Sequence, residues 1–258
     1  MSQTPRSLNE STPSDNADSI VQSFASPDWY LKGFAANIRV RAETVSTLLG
    51  SQKFEQVLDI GCGDGSLSLP LLPNAKGITY LDQSAAMLER VASRIDPARK
   101  GDIAYINSGF MEATVPATTF DLVICVGVLA YVDDLGPFLK KVRNVMKPGG
   151  QLLLECTDAP HFLTRMTNAY RACTSILKPK RFGTYPHKAT SVIAVAESFG
   201  LKLAADFRYA YSFPLVEKFV SDPTAYKLIR KVYGTIDNNR RAWMGNQRIF
   251  HFRSASGA

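Results

Sequence analysis

Residues 57–65, VLDIGCGDG, constrain this chain more than any other stretch. Val57, Leu58 and Ile60 read as a buried strand, since a short apolar run bounded by a turn signal fits a strand covered on both faces. The run leads straight into glycines at 61, 63 and 65, with Asp59 two places before the first of them. Glycine at alternate positions lets the backbone turn tightly and lets a ligand approach where a Cβ would collide. The stretch therefore reads as a nucleotide-type cofactor loop that opens a βαβ unit.

A dinucleotide fingerprint would run G-x-G-x-x-G, but here Ser66 stands where its third glycine belongs. A diphosphate also needs positive potential at the start of the following helix, whereas Asp59 and Asp64 bring two carboxylates beside the turn. Such a loop suits a ligand with a cationic amine and no phosphate. On these residues the chain resembles the class I S-adenosylmethionine (SAM)-dependent methyltransferases, whose first motif has the form hydrophobic-hydrophobic-D-hydrophobic-G-C-G-x-G. SAM carries an ammonium, a sulfonium and an adenosine.

Later segments continue the resemblance in order. Residues 79–82 look like the second strand, and Asp82 follows Asp59 by 23 residues, close to the roughly 20-residue offset at which an acid meets ribose hydroxyls. Ser84 is placed to cap a helix through Arg94, with Met87, Leu88 and Val91 on its apolar side. FDLVICVGVLAYV (120–132) is shaped like the fourth strand and its turn, and KPGGQLLLE (147–155) like a Pro-Gly-Gly turn into the fifth. The resemblance implies an α/β, Rossmann-like doubly wound fold. Its seven-stranded sheet would be mostly parallel with an antiparallel last strand, and helical insertions would follow strands 5 and 6.

The resemblance also implies SAM as cofactor, met by Asp59, Gly61, Cys62, Gly63, Gly65, Asp82, Gln83, Met87, Phe110, Met111 and Val126. Tyr30, Arg39 and Arg41 of a leading helix would close over its methionine end. Where the family commonly places an acid after the third strand for the adenine amino group, this chain reads Ser108-Gly109-Phe110-Met111. Phe110 cannot accept a hydrogen bond. It reads as a stacking surface, with backbone groups or Glu112 supplying the polar contact.

Strands are expected at 56–60, 77–82, 103–106, 120–126 and 150–156, alternating with helices at 66–72, 85–94 and 134–146. A leading helical segment, 27–49, would pack through Ile38, Val45, Leu48 and Leu49. Beyond the fifth strand come a basic amphipathic stretch (161–177), a Pro/Gly-punctuated loop (177–188), a helix (190–199) and a strand (201–210). A second insertion (211–242) and a final antiparallel strand (247–253) complete the pattern. Residues 1–19 have too little to bury and read as a disordered tail. Residues 20–258 read as one domain: leading helices to 55, a cofactor core over 56–156 and an acceptor side over 157–258.

Charge is unevenly spread. The formal net charge is +7, made of −4 over residues 1–158 and +11 over 159–258. Lys178, Lys180 and Arg181 cluster beside Phe182 and Tyr185, and Lys227, Arg230 and Lys231 fall on one helical face. The basic third reads as a solubilising surface or as a guide for an anionic acceptor or membrane. No apolar run reaches the roughly 18 residues of a membrane span and no signal-peptide core is evident, so a cytoplasmic, at most membrane-peripheral, protein is expected. Cys62, Cys125, Cys156 and Cys173 lack metal-ligand spacing, which predicts free thiols and no metal.

Methyl transfer from a sulfonium is an in-line displacement, in which positioning the acceptor about 3 Å from the methyl carbon does most of the work. A base is needed only where the acceptor must lose a proton, as a hydroxyl does. His161, His187 and Tyr131 are the candidates for acceptor-side chemistry, while His251 sits in the final strand. The expectation is methylation, at oxygen, of a small-molecule or lipid- or phosphate-linked acceptor. An RNA methyltransferase tracking phosphates with the basic third is an alternative. Against it, there is no appended RNA-binding module, and Val126-Gly127-Val128-Leu129 stands where an N/D-P-P-Y/F tetrapeptide would fall. A catalytically silent cofactor-binding or partner-binding subunit is the third reading.

Overall fold

The structure, a computed structural model, describes residues 35–175, 184–211 and 221–255. Helix α1 (Ala35–Leu49) leads into β1 (Phe54–Ile60), then β2 (Ala75–Asp82), α2 (Ala85–Ser93), β3 (Ile103–Asn107) and β4 (Phe120–Cys125). Next come α3 (Leu135–Val145), β5 (Met146–Thr157), α4 (Phe162–Ser175), α5 (Ala189–Ser198) and β6 (Leu201–Tyr209). Helix α6 (Asp222–Tyr233), a two-residue hairpin of β7 (Gly234–Thr235) and β8 (Asn238–Asn239), and β9 (Gln247–Ser254) follow.

Seven strands form one sheet in the order β3-β2-β1-β4-β5-β9-β6. Only β9 runs against its neighbours, pairing antiparallel with both β5 and β6. The order reverses between β1 and β4, so a crevice opens beyond their carboxyl ends. Both sheet faces are covered, which is why β1 and β4 read as near-continuous apolar runs. Leu58, Ile60, Val123 and Leu152 face the side closed by α3 and α5, through Phe138, Val142, Val192 and Ala196. Val57, Tyr80, Ile124 and Leu153 face the side closed by α1 and α2, through Val45, Leu49, Leu88 and Val91. A third cluster joins α1 and α6 to β6 and β9, around Val40, Phe207, Tyr209, Ile229 and Tyr233.

Several boundaries differ from the sequence expectations for local reasons. The helix expected at 66–72 is a 3-10 segment, Leu69–Asn74, because Pro70 and Pro73 remove backbone donors that an α-helix would use. Strand β5 begins at Met146, ahead of the Pro-Gly-Gly turn: Met146 pairs with Phe120, and the register then jumps to Gln151 opposite Leu122. The intervening residues bulge, with Gly149 at φ 73°. Helix α1 buries Asn37, Arg41 and Thr44 beside its apolar residues, so its inward face is partly polar. The hairpin of β7 and β8 inside the second insertion carried no signal in the sequence reading. The disordered tail expected over 1–19, Tyr30, and the cluster Lys178, Lys180, Arg181 and Phe182 lie outside the described residues.

Candidate active site

The loop after β1 is tied down by the end of β2. Leu81 O accepts from Gly61 N at 2.7 Å and from Cys62 N at 3.1 Å. Asp82 Oδ2 accepts from Gly63 N at 2.9 Å, and Oδ1 accepts from Ser84 N at 2.8 Å. One carboxylate thus holds the glycine turn to the start of α2, and lone pairs on both oxygens remain for a ligand. Gly61 has φ 65°, and a Cβ there would sit 2.5 Å from Val128 Cγ2. Gly63 has φ 55°, and the space a Cβ would enter is open. The first glycine lets the β4 turn close in, and the second leaves room for a ligand.

Around this turn lies a cleft of roughly 440 Å³, within the range of small-molecule sites. Gly61, Gly63, Asp82, Gln83 and Met87 form one wall. Phe110, Met111 and Glu112 form a second, and Val126, Gly127, Val128, Tyr131, Val132 and Asp133 a third, with Tyr185 reaching in from beyond β5. Four carboxylates, Asp82, Glu112, Asp133 and Asp134, line it, and among the described residues no Lys, Arg or His does. Such a field repels phosphates and holds cations. Burial keeps the Asp82 carboxyl above its ordinary range, against the donors from Ser84 and Gly63. A nearby positive charge would favour its ionised form.

The turn after β3 is anchored from α3. Lys141 Nζ donates to Met111 O at 2.9 Å and to Ala113 O at 2.8 Å, and lies 5.1 Å from the Phe110 ring centroid. Phe138 meets Phe110 edge-on at 5.4 Å. Phe110 therefore presents a braced apolar surface to the cleft, and Glu112 and Gln83 converge over Gly109 beside it, within 2.2 and 2.8 Å of where a Cβ would be.

Of the residues expected at the cofactor, Gly61, Gly63, Asp82, Gln83, Met87, Phe110, Met111 and Val126 line this cleft, and so does Tyr131 from the acceptor set. Asp59, Cys62 and Gly65 do not. Asp59 is 2% exposed and points to the α1/α2 side of the sheet, where Ser68 Oγ donates to it at 2.5 Å. Burial pushes its carboxyl up to about 7, with Asp82 and Asp64 adding to the rise against the Ser68 hydrogen bond. Cys62 packs in the core beneath the turn, and burial followed by the charges of Asp59 and Asp82 pushes its thiol far upward, which removes any nucleophilic role. Gly65 gives room to Leu69 and Val91. Asp64 turns away from the cleft to pair with Arg94 at 3.0 Å.

Arg41 is an interior residue rather than a closing arm. Its Nε donates to Glu155 Oε1 at 2.9 Å, with a second contact from Nη2 to Oε2. Tyr209 OH donates to the same Glu155 and lies 2.7 Å from Asn37 Oδ1. This network supports the cleft from behind: a Cβ on Gly127 would come within 3.3 Å of Arg41 Nη1. Arg39 faces α6, with Glu43 at 3.0 Å and the Tyr226 ring at 3.8 Å.

His161 caps α4, which occupies both ring nitrogens: Nδ1 accepts from Leu163 N at 3.2 Å and Nε2 donates to Trp243 O at 3.0 Å. It is outside the cleft lining and has no lone pair left for an acceptor proton. His187 lies on the segment that carries Tyr185, with Tyr185 N donating to Ala130 O. Its Nε2 donates to Val132 O at 2.7 Å, which leaves the lone pair on Nδ1. His251 pairs with Gln151 Oε1 at 2.8 Å, and burial lowers its pKa to about 4. Ser68, Lys141, Glu155, Val128 and Tyr185 were missed by the sequence reading.

Comparison with known proteins converges on one chemistry. Residues 58–152 match a family model described as a methyltransferase domain. Ubiquinone biosynthesis O-methyltransferase, mitochondrial, of Schizosaccharomyces pombe is 35% identical over 102 residues, covering 39% of this chain and 37% of its own length. A malonyl-[acyl-carrier protein] O-methyltransferase of Pseudescherichia vulneris is 28% identical over 164 residues, covering 64% of this chain and 63% of its own. The match thus spans less than two thirds of the length of either relative. Among solved structures, a SAM-dependent methyltransferase of Thermotoga maritima, a possible histamine N-methyltransferase, superposes with a TM-score of 0.64 at 16% identity, covering 91% of this chain and 99% of its own. An N-methyltransferase of Bradyrhizobium japonicum in complex with S-adenosyl-L-homocysteine (SAH) gives 0.61 at 16%, covering 93% and 99%.

Proposed function

We propose that this chain, whose residues 58–152 match a methyltransferase domain and whose fold is that of solved SAM-dependent methyltransferases, is a class I SAM-dependent methyltransferase that binds SAM in the cleft and methylates an oxygen of a small-molecule or lipid-linked acceptor. The observation that carries the cofactor assignment is the charge of the cleft. Four carboxylates and no lining base among the described residues suit a ligand that ends in an ammonium and a sulfonium, and they disfavour NAD-type diphosphates. Asp82 would hold the ribose hydroxyls, Met87 and Phe110 would cover the adenine faces, and Gln83 with Glu112 would meet its polar edge. The open space at Gly63 lets the nucleoside lie against the backbone.

When bound, SAM supplies an electrophilic methyl group. The chain's own residues do the rest: Tyr131, Val132 and Tyr185 border the cleft on the side of the segments beyond β5, where they exclude water and orient the acceptor. For a hydroxyl acceptor we assign the base to His187, which stands outside the cleft lining but two residues from Tyr185 and bonded to Val132, both of which line it. The Val132 carbonyl fixes its proton on Nε2, so Nδ1 is the basic atom. Oxygen as the target is supported by relatives named O-methyltransferases.

Calorimetric titration with SAM, SAH and NAD tests the cofactor reading; heat with NAD and none with SAM would overturn it. Incubation of the protein with labelled SAM and a cell extract, followed by isolation of the labelled product, identifies the acceptor. With that product in hand, His187→Ala should lower kcat at unchanged SAH affinity, and an unaltered kcat would return His187 to a structural role.

A further inference from the structure

The first turn of α4 and the 3-10 turn Ala242–Met244 together expose an unusual amount of apolar surface. Trp243 is 69% exposed, Phe162 50% and Met166 48%. The three belong to one patch: the Phe162 and Trp243 rings lie 6.5 Å apart, and His161 joins them, 4.6 Å from Phe162 and hydrogen-bonded to Trp243 O. Phe162 and Met166, at i and i+4, share a helix face. Hydrogen bonds of Asp158 and Asn246 hold the two segments rigidly, with Asn246 O accepting from Asp158 N at 2.8 Å and Asn246 Nδ2 donating to Thr164 Oγ1 at 3.0 Å. The patch is thus preformed.

Its charge is one-sided. Residues 158–175 and 237–247 contain arginines 165, 171, 240 and 241 against two acids, of which Asp158 accepts from Ala189 N and Asp237 is exposed. Arg165, Arg240 and Arg241 are exposed. An exposed indole, phenyl ring and thioether on segments that also expose Arg165, Arg240 and Arg241 suit a bilayer interface, where rings sink to the headgroup level and cations meet anionic lipid. We propose that this patch docks the protein on an anionic membrane surface. No helix among the described residues is long and apolar enough to cross a membrane.

The patch sits on the same rim of the sheet as the cleft. Asp158 bridges to His187, two residues from Tyr185 in the cleft wall. Docking therefore brings the rim beside the cleft toward the lipid surface. The other basic face fits less well, since Arg230 is bound to Glu43 at 2.7 Å and Ile229 points inward, leaving Leu228 between Lys227 and Lys231. Docking stands apart from the methyl-transfer reading and is measured without turnover.

The chain has two tryptophans, so Trp29→Phe leaves Trp243 as the sole reporter. Vesicles of phosphatidylcholine with phosphatidylserine should shift Trp243 emission to the blue, and brominated acyl chains should quench it. Pure phosphatidylcholine should do so weakly, and salt should reverse the effect. Phe162→Ser with Trp243→Ser should lower vesicle affinity at least roughly tenfold. Arg165→Glu and Arg241→Glu should each lower it by roughly fivefold or more, with circular dichroism unchanged. Lys227→Glu with Lys231→Glu should have the smaller effect. Absence of vesicle binding, or binding without Trp243 quenching, overturns the proposal. So does concentration-dependent dimerisation that Trp243→Ser abolishes, which would make the patch a contact between copies.

Discussion

Asp59→Asn separates two roles for the acid in the first motif. In the folded chain this carboxyl keeps its proton up to about pH 7, whereas a solvated aspartate loses it near 3.8. Between these values the folded state holds one more proton than the unfolded state, so stability falls as pH rises through the window and levels off above it. The slope is about 1.4 kcal/mol per pH unit. Between about pH 5 and pH 8 this one group therefore removes about 3 kcal/mol. Asparagine keeps the shape and can still accept from Ser68 Oγ, but it has no proton to lose. Urea unfolding followed by circular dichroism at several pH values should show the Asp59→Asn protein gaining on the parent by about 3 kcal/mol from pH 5 to pH 8. Taking the difference cancels the other titrating carboxylates. Parallel stability curves would refute the reasoning and show that Asp59 is ionised, held by a positive group that the Ser68 geometry does not reveal.

Asp82→Ala should weaken both SAM and SAH by roughly ten- to a hundredfold in calorimetry, because it removes an acceptor on the cleft wall and frees the Gly63 N–H; equal affinities would exclude Asp82 from the site. Gly61→Ala drives a methyl to 2.5 Å from Val128 Cγ2 at a left-handed φ, which should cost about 1–3 kcal/mol in urea unfolding, with partial relief in the double variant with Val128→Ala. Glu155→Gln leaves the Arg41 guanidinium buried without a counter-charge and should cost about 3–5 kcal/mol. Adding Arg41→Met should restore part of that loss, and strictly additive losses would show the two side chains to be uncoupled. Lys141→Met should raise the SAH dissociation constant with little change in stability, since Lys141 braces the turn that carries Phe110 and Met111; unchanged SAH binding would make that brace irrelevant to the site.

The sheet was legible because its signals are local. Buried parallel strands are continuous apolar runs, and the glycines at 61, 63 and 65 mark where the first of them ends. Strand β9 was legible by its alternation, whereas its antiparallel direction was implied by the family resemblance alone. What failed was set by tertiary context or by single residues: Pro70 and Pro73 reduce a periodic apolar stretch to a 3-10 turn, and the start of β5 is displaced by a bulge that only pairing with Phe120 reveals. The inward face of α1 was hidden for another reason. Asn37, Arg41 and Thr44 are polar in sequence, and the first two point inward because β5 and β6 offer Glu155 and Tyr209.

The glycine-side wall of the cleft was legible because a turn this tight needs glycine and because Asp82, at a fixed offset along the βαβ unit, ends the strand that holds it. Sequence alone could not tell which acid of the pair faces the cleft. Asp59 lies one residue before the end of β1 and Asp82 ends β2; alternation along β1 sends Asp59 to the α1/α2 side, while the Asp82 carboxylate accepts from Gly63 N across the turn. The acceptor side follows no such rule. In sequence His161, a few residues after the fifth strand, stood ahead of His187 in its Tyr185-Pro186-His187 loop, each a lone histidine. What distinguishes them is the hydrogen bond each ring makes: a helix N-terminus claims the free nitrogen of His161, while the bond of His187 to Val132 leaves its Nδ1 basic. Function on that side is therefore written in which backbone groups the loops bring within reach, a quantity that exists only once the chain has folded.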